Sequence, residues 1–291
     1  MIATLLFLFA ALDFSPVSGP AISWACGEPC LCAASAGVVP VTAASLFPWT
    51  SPAIAPAQET SYPVFLPFVA SQPSGCEPIP GVQYATLSVN GLPTDRPAEQ
   101  HADLNLALRG YEVTAAYLGL VEYGGGPDPA APQLCTLFGD GRLPAFRTAY
   151  QVYHWDWDCN CRGDLVTDYP VTLIGMGVTP GEVLSLPDSG YDIGSGYEAL
   201  VLYATEERIT LKYTREDSVV SGYTLHVENV CVEPRLLELY RAWNDAGRGR
   251  LPALRGGQPF GRAQGVEIGV AIRDNGAFMD PRSRWDWWRS K

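Results

Sequence analysis

Lysine is almost missing from this chain. Among 19 basic residues only Lys212 and Lys291 are lysines, and just three histidines accompany them: His101, His154 and His226. We read the lysine deficit as the codon bias of a GC-rich genome rather than as chemistry. Against 31 acidic residues the formal net charge is −12. A chain so charged offers no basic face to displace counterions from phosphates, which argues against a nucleic-acid partner and against a polybasic membrane contact. The scarcity of imidazoles restricts every acid–base or metal reading. No Gly-x-Ser-x-Gly element, P-loop or His-Glu-x-x-His helix occurs. No run after the first residues reaches the roughly 20 apolar positions of a membrane helix, so none is expected in the mature chain.

What is present points to an exported β protein. Met1 to Leu12 is an apolar run of signal-peptide length; the alternative is a buried strand. It lacks a positive n-region, which leaves room for a start further upstream. Hydrophobic residues make up 47% of the 291, enough for a sizeable core. Eight scattered cysteines fit structural disulfides in an oxidising compartment. The candidates are Cys76, Cys135, Cys159, Cys161 and Cys231, while Cys26, Cys30 and Cys32 can form a small knot of their own. A metal site at Cys159-x-Cys161 competes, but its one-residue gap is tighter than structural zinc spacing.

From Asp13 to about Pro80, proline, alanine and serine dominate, reading as a linker or stalk. Within it, Tyr62 to Val69 is apolar enough to dock as an extended strand. We expect a β region over 81–178 and a second β domain over 179–291. Alternation or apolar runs predict strands at Gln83–Val89, Ala102–Ala107, Thr114–Tyr123, Thr148–Trp157, Val171–Ile174, Tyr197–Thr205, Arg208–Tyr213, Tyr223–Val227 and Gly265–Ile272. Asn275-Gly276 is the strongest hairpin signal. One helix is predicted, opening at Pro234, carrying Leu236, Leu237, Leu239, Tyr240 and Trp243 as a packing stripe, and ending at Gly247. The expected fold is mainly β, an antiparallel, barrel-like sandwich with one inserted helix.

Few residues offer chemistry. His154, Asp156 and Asp158 alternate, so they share one strand face and can bind a divalent metal or run acid–base work. The competing reading is a polar outer face, with Trp155 and Trp157 filling the core. His226 is expected on a solvated strand face with Thr224 and Glu228, and His101 in an exposed turn. Trp285, Trp287 and Trp288 can stack on sugar rings or close the core. Arg162-Gly-Asp164 matches an adhesion tripeptide by chance and implies no partner.

The C-terminal third carries a family resemblance. Leu251 to Gly261 (LPALRGGQPFG), then Glu267-Ile-Gly-Val-Ala-Ile-Arg273, Asn275-Gly276 and Asp280-Pro281, resembles the closing segment of the lysostaphin-like zinc peptidases. Gly194 to Tyr203 and Ile209 to Tyr213 resemble that family's central hairpin. The likeness covers about Thr179 to Arg284, with the Pro234–Gly247 helix inserted. It implies a small antiparallel β fold and peptidoglycan endopeptidase ancestry. Carried over by position, the catalytic histidine falls on Glu267 and a zinc-ligating histidine on Gly269, which has no side chain to donate. His154-x-x-x-Asp158 echoes the His-x-x-x-Asp signature but lies too far upstream, with Asp156 where a glycine is expected. Near the hairpin histidine stand Lys212 and Tyr213.

The sequence therefore predicts a secreted, non-catalytic β protein of the bacterial cell surface with no cofactor. Its role is structural, or toward a cell-wall polymer or another surface protein. The alternatives are an active zinc endopeptidase with a site rearranged around His154, Asp156, Asp158 and Glu267, and a carbohydrate-binding module built on the C-terminal tryptophans.

Overall fold

The computed structural model describes residues 76–290. The expectations for the apolar leader, the proline-rich segment before Cys76 and Cys26, Cys30 and Cys32 lie outside these residues.

In chain order the elements are β1 (Ala85–Ser88), α1 (Leu106–Arg109), β2 (Tyr111–Val113), β3 (Phe146–Asp156), β4 (Cys161–Leu165), β5 (Leu173–Gly177) and β6 (Val183–Ser185). There follow β7 (Ala199–Ala204), β8 (Arg208–Lys212), β9 (Tyr223–Glu228), β10 (Val230–Val232), α2 (Pro234–Asp245) and β11 (Arg250–Leu254). The chain closes with β12 (Pro259–Ala263), β13 (Glu267–Asp274), β14 (Ala277–Met279) and α3 (Arg284–Trp287).

The protein is mainly β and antiparallel, with α2 inserted between β10 and β11. The main sheet runs β1-β11-β7-β8-β9-β13-β5-β3-β2, with β14 added to β13 and β4 to β3; β10-β12-β6 forms a small second sheet. The main sheet is open: β1 and β2 stand at opposite ends of the strand path, so it is not the closed barrel that the sequence pattern admits. The boundary expected at 178 does not divide this fold, because β5 pairs with both β3 and β13.

Local chemistry explains the elements the sequence predicted. Pro234 opens α2 at a position where a missing N–H costs nothing. The buried Glu233 carboxylate caps it, accepting from the N–H groups of Arg235 at 2.9 Å and Leu236 at 3.0 Å. Leu236, Leu237 and Tyr240 form the buried stripe. Asn275 and Gly276, with φ of 46° and 85°, make the two-residue turn joining β13 to β14.

Two predicted strands are absent. Ala102–Ala107 is a turn leading into α1. Its alternation buries Ala102, Leu104 and Leu106, while Asn105 caps the short helix by accepting from the Ala107 N–H at 3.3 Å. Thr114–Tyr123 is a loop with a single bridge, Val121 to Ser283, and Tyr117 is exposed.

Two disulfides form among the described residues. Cys76 pairs with Cys231 across 155 residues, and Cys159 pairs with Cys161. Cys135, expected in a bridge, is instead a buried free thiol, 3.4 Å from Ser290 Oγ.

The central strands β8, β9 and β13 are buried on both faces. One face carries Ile209, Leu211, Leu225, Val227, Ile268, Val270 and Ile272 into the main apolar core. The strand register aligns Thr210, His226 and Ala271 on the other face, with Lys212, Thr224 and Arg273 beside them. Residues 101–109 contribute the cover: Thr210 Oγ1 donates to the Leu104 carbonyl at 2.6 Å, and Asp103 and Arg109 join Arg273. His226 is therefore 1% exposed, not solvated as its alternation predicts. Alternation assigns a face; it does not say what covers that face.

Candidate functional site

On β13, the positions that matter to the family likeness are filled by packing. A β-carbon at residue 269 would lie 3.3 Å from Glu228 Cβ and 3.3 Å from Leu173 Cδ2. An imidazole there would need more room still. Glu267 lies over Gly175, where any side chain would collide with it. Its carboxylate accepts from Thr148 Oγ1 at 2.9 Å and Tyr150 OH at 3.1 Å. Glu228 beside it pairs with Arg208 at 3.1 Å; burial raises the Glu228 pKa despite that cation. This face does not fit a zinc ion held as in the peptidases, since one expected ligand position has no side chain and is closely packed by Glu228 and Leu173.

The metal set proposed from sequence does not converge either. His154, Asp156 and Asp158 are exposed, but Asp158 lies beyond the end of β3. Asp156 Oδ1 is turned back to accept from the N–H groups of Asp158 at 2.9 Å and Cys159 at 3.4 Å, shaping the β3–β4 turn. Among the described residues, no three His, Cys, Asp or Glu side chains are placed to hold one ion. Nor do His154 and Glu267 meet: the Glu267 carboxylate is held at Tyr150, and four residues of strand carry the chain about 13 Å further to His154.

The C-terminal tryptophans divide. Trp287 and Trp288 are 1% and 0% exposed, because each indole N–H finds a buried carbonyl, Asp280 and Pro281, both at 2.9 Å. Their rings pack edge-on to Tyr223 and Phe146. Neither can meet a sugar. Trp285 alone is exposed, at 47%.

A different tryptophan walls a cleft. Trp157, assigned to the core by the competing reading of its strand, is 41% exposed. It lines a hollow of about 440 Å³ with Leu92, Asp95, Arg96, His101 and Asp103. The Arg96 guanidinium lies 4.7 Å from the Trp157 ring centroid, and the His101 ring approaches edge-on at 5.1 Å. Arg96 is oriented by Asp95 at 3.0 Å and by Asn160 Oδ1 at 2.8 Å.

His101 is part-buried rather than exposed in a turn. Its Nδ1 accepts the Asp103 N–H at 3.2 Å, so the neutral ring carries its proton on Nε2, which faces Asp95 Oδ1 at 3.7 Å. Burial holds the imidazole below its ordinary pKa against the opposing pull of Asp103 and Asp95. At the cleft floor, burial pushes the Asp103 carboxyl up, but Arg273 and Arg109 outweigh it and hold the pKa at about 2. The cleft thus combines an aromatic wall, a guanidinium, an imidazole N–H and three carboxylates, Asp95, Asp103 and Asp217.

Sequence reasoning missed this grouping. Arg96 and His101 lie more than fifty residues before Trp157, and no local spacing links them. A second hollow, about 510 Å³ beside α2, is lined by Val232, Leu237 and Ala242 with Glu206, Glu238 and Arg241; no aromatic ring lines it.

The fold and site thus define an antiparallel β domain with an aromatic, charged cleft. No family model matches the chain, and no curated protein or solved structure matches it.

Proposed function

We propose that this protein is an exported, non-catalytic β domain of the bacterial cell surface that binds a wall polymer in the Trp157 cleft. The observation carrying this reading is the Trp157 ring, 41% exposed in a concave site, with Arg96 over the ring and His101 edge-on to it. An indole face takes the C–H side of a pyranose ring, while Asp95, Arg96 and the His101 Nε2–H are suited to its hydroxyl and amide groups. Disulfides are compatible with an oxidising compartment outside the cell. No helix among the described residues is long and apolar enough to cross a membrane.

The likeness to the lysostaphin-type peptidases supports a wall-directed role and an ancestry in polymer recognition. Gly269 supports binding without cleavage, because zinc hydrolysis needs three protein ligands and an open position for water.

The test is a titration of tryptophan fluorescence with soluble peptidoglycan fragments, using the full chain and its Trp157→Ala variant. A saturable response in the parent, lost in the variant with circular dichroism unchanged, is expected. No saturable response, or equal binding by the variant, overturns the assignment. A parallel incubation of peptidoglycan with the zinc-supplemented protein should release no soluble fragments; release of new peptide ends would revive the peptidase reading.

A further inference from the structure

We propose that the Cys159–Cys161 disulfide is a thiol–disulfide exchange site, attacked by the thiolate of a low-molecular-weight thiol, and not a structural staple. Both cysteines are exposed, and Asn160 alone separates them. The bond sits in the turn between β3 and β4, which is already closed without it. Trp155 pairs with Arg162 and Asp156 with Cys161, and Asp156 Oδ1 gathers the turn's N–H groups. A bridge across one residue constrains the unfolded chain far less than Cys76–Cys231, which spans 155 residues. Asn160 is held at φ 52°, a left-handed conformation that asparagine tolerates better than most residues. Exposed bridges that add little to folding are the labile ones, whereas structural bridges resist reduction.

The chemistry balances without a cofactor. A thiolate attacks one sulfur, the S–S bond breaks, and a mixed disulfide forms while the departing cysteine thiolate takes a proton from water. A second thiolate attacks the mixed disulfide, releasing the oxidised small disulfide and the second cysteine thiolate, which is protonated in turn. Two electrons pass from the two small thiols to the protein's bridge.

The site also has a built-in reporter. Asn160 Oδ1 accepts from Arg96 at 2.8 Å and from Trp155 Nε1 at 3.4 Å, and Arg96 lies over Trp157. Opening the bridge frees Asn160 and so alters two indoles.

The experiment equilibrates the full chain in reduced and oxidised glutathione mixtures, quenches with acid and alkylates. Peptide mapping then assigns each thiol to its cysteine. Cys159–Cys161 should open reversibly at a reduced-to-oxidised ratio at least about tenfold below that needed for Cys76–Cys231. Far-ultraviolet circular dichroism should be unchanged and tryptophan emission shifted. The Cys161→Ser variant should trap glutathione on Cys159. If the bridge opens only together with Cys76–Cys231, or only as the protein unfolds, it is a staple and the proposal fails.

Discussion

Asp103 and Arg273 are 170 residues apart in sequence, yet Arg273 Nη1 lies 2.8 Å from Asp103 Oδ1. Arg109 Nη2 meets the same oxygen at 2.6 Å. One carboxylate therefore neutralises part of a buried double cation and fixes residues 101–109 over β9 and β13. Removing it leaves two guanidinium groups without their shared partner. Asp103→Ala should lose about 3 kcal/mol in urea unfolding, within the range for breaking a buried pair. A loss under about 0.5 kcal/mol, the size of an ordinary surface change, would contradict this account.

His226 gives the fold an acid limit. Burial, reinforced by the Arg273 charge, depresses its pKa to about 3. Arg109 acts in the same direction and Asp103 opposes it. The unfolded imidazole titrates near 6.5, so between pH 6.5 and 3 the unfolded chain binds a proton that the native ring refuses. Stability should therefore fall as pH drops through that window. Asp103 adds its own loss between about 3.8 and 2. Subtracting the stability curve of His226→Gln from that of the parent isolates the histidine. A flat difference between pH 6.5 and 4 would show that the ring is accessible to protons.

Gly269 should resist conversion to a ligand. Gly269→Ala sets a methyl group against Glu228 and Leu173, with an expected cost of about 1–3 kcal/mol from overpacking. Gly269→His should be worse and should bind no stoichiometric zinc by elemental analysis. A stable, zinc-loaded Gly269→His protein would mean that the face can still accommodate the ion.

The long bridge should matter to stability. Replacing both Cys76 and Cys231 with alanine should lower stability by about 3–5 kcal/mol, the scale for a loop of this length. Thermal unfolding of the two proteins at matched concentration measures it.

Polymer binding should discriminate between exposed tryptophans. Trp285→Ala should leave the fluorescence titration midpoint unchanged, whereas Trp157→Ala should abolish the response. Equal losses from both would point to nonspecific adsorption.

The sequence made legible what depends on near neighbours. Pro234 and Gly247 bracket α2, and Asn275-Gly276 turns β13 into β14, because caps and turns are set by a few adjacent residues. Alternation located β3, β8 and β9 within a few positions. It failed at Ala102–Ala107, where the same apolar spacing serves a turn and a short helix, and Asn105 was the unused cap signal. It failed again at His226, whose cover arrives from residues more than a hundred positions upstream. The cleft was illegible for the same reason: Trp157, Arg96 and His101 belong to segments that meet only in the folded chain, while the tryptophans that looked available, Trp287 and Trp288, satisfy their N–H groups in the interior.

The Cys76–Cys231 bond also decides how the domain bears load. Tension arriving along the chain from residues before Cys76 passes through the sulfurs into β10, next to the capped start of α2. The eight residues between Cys76 and β1 carry none of it, so the pairing of β1 with β11 at the sheet margin is spared from peeling. A pull from that side loads β10 instead, the end strand of the small sheet, which is anchored by its pairing with β12 and by the buried Val230 and Val232.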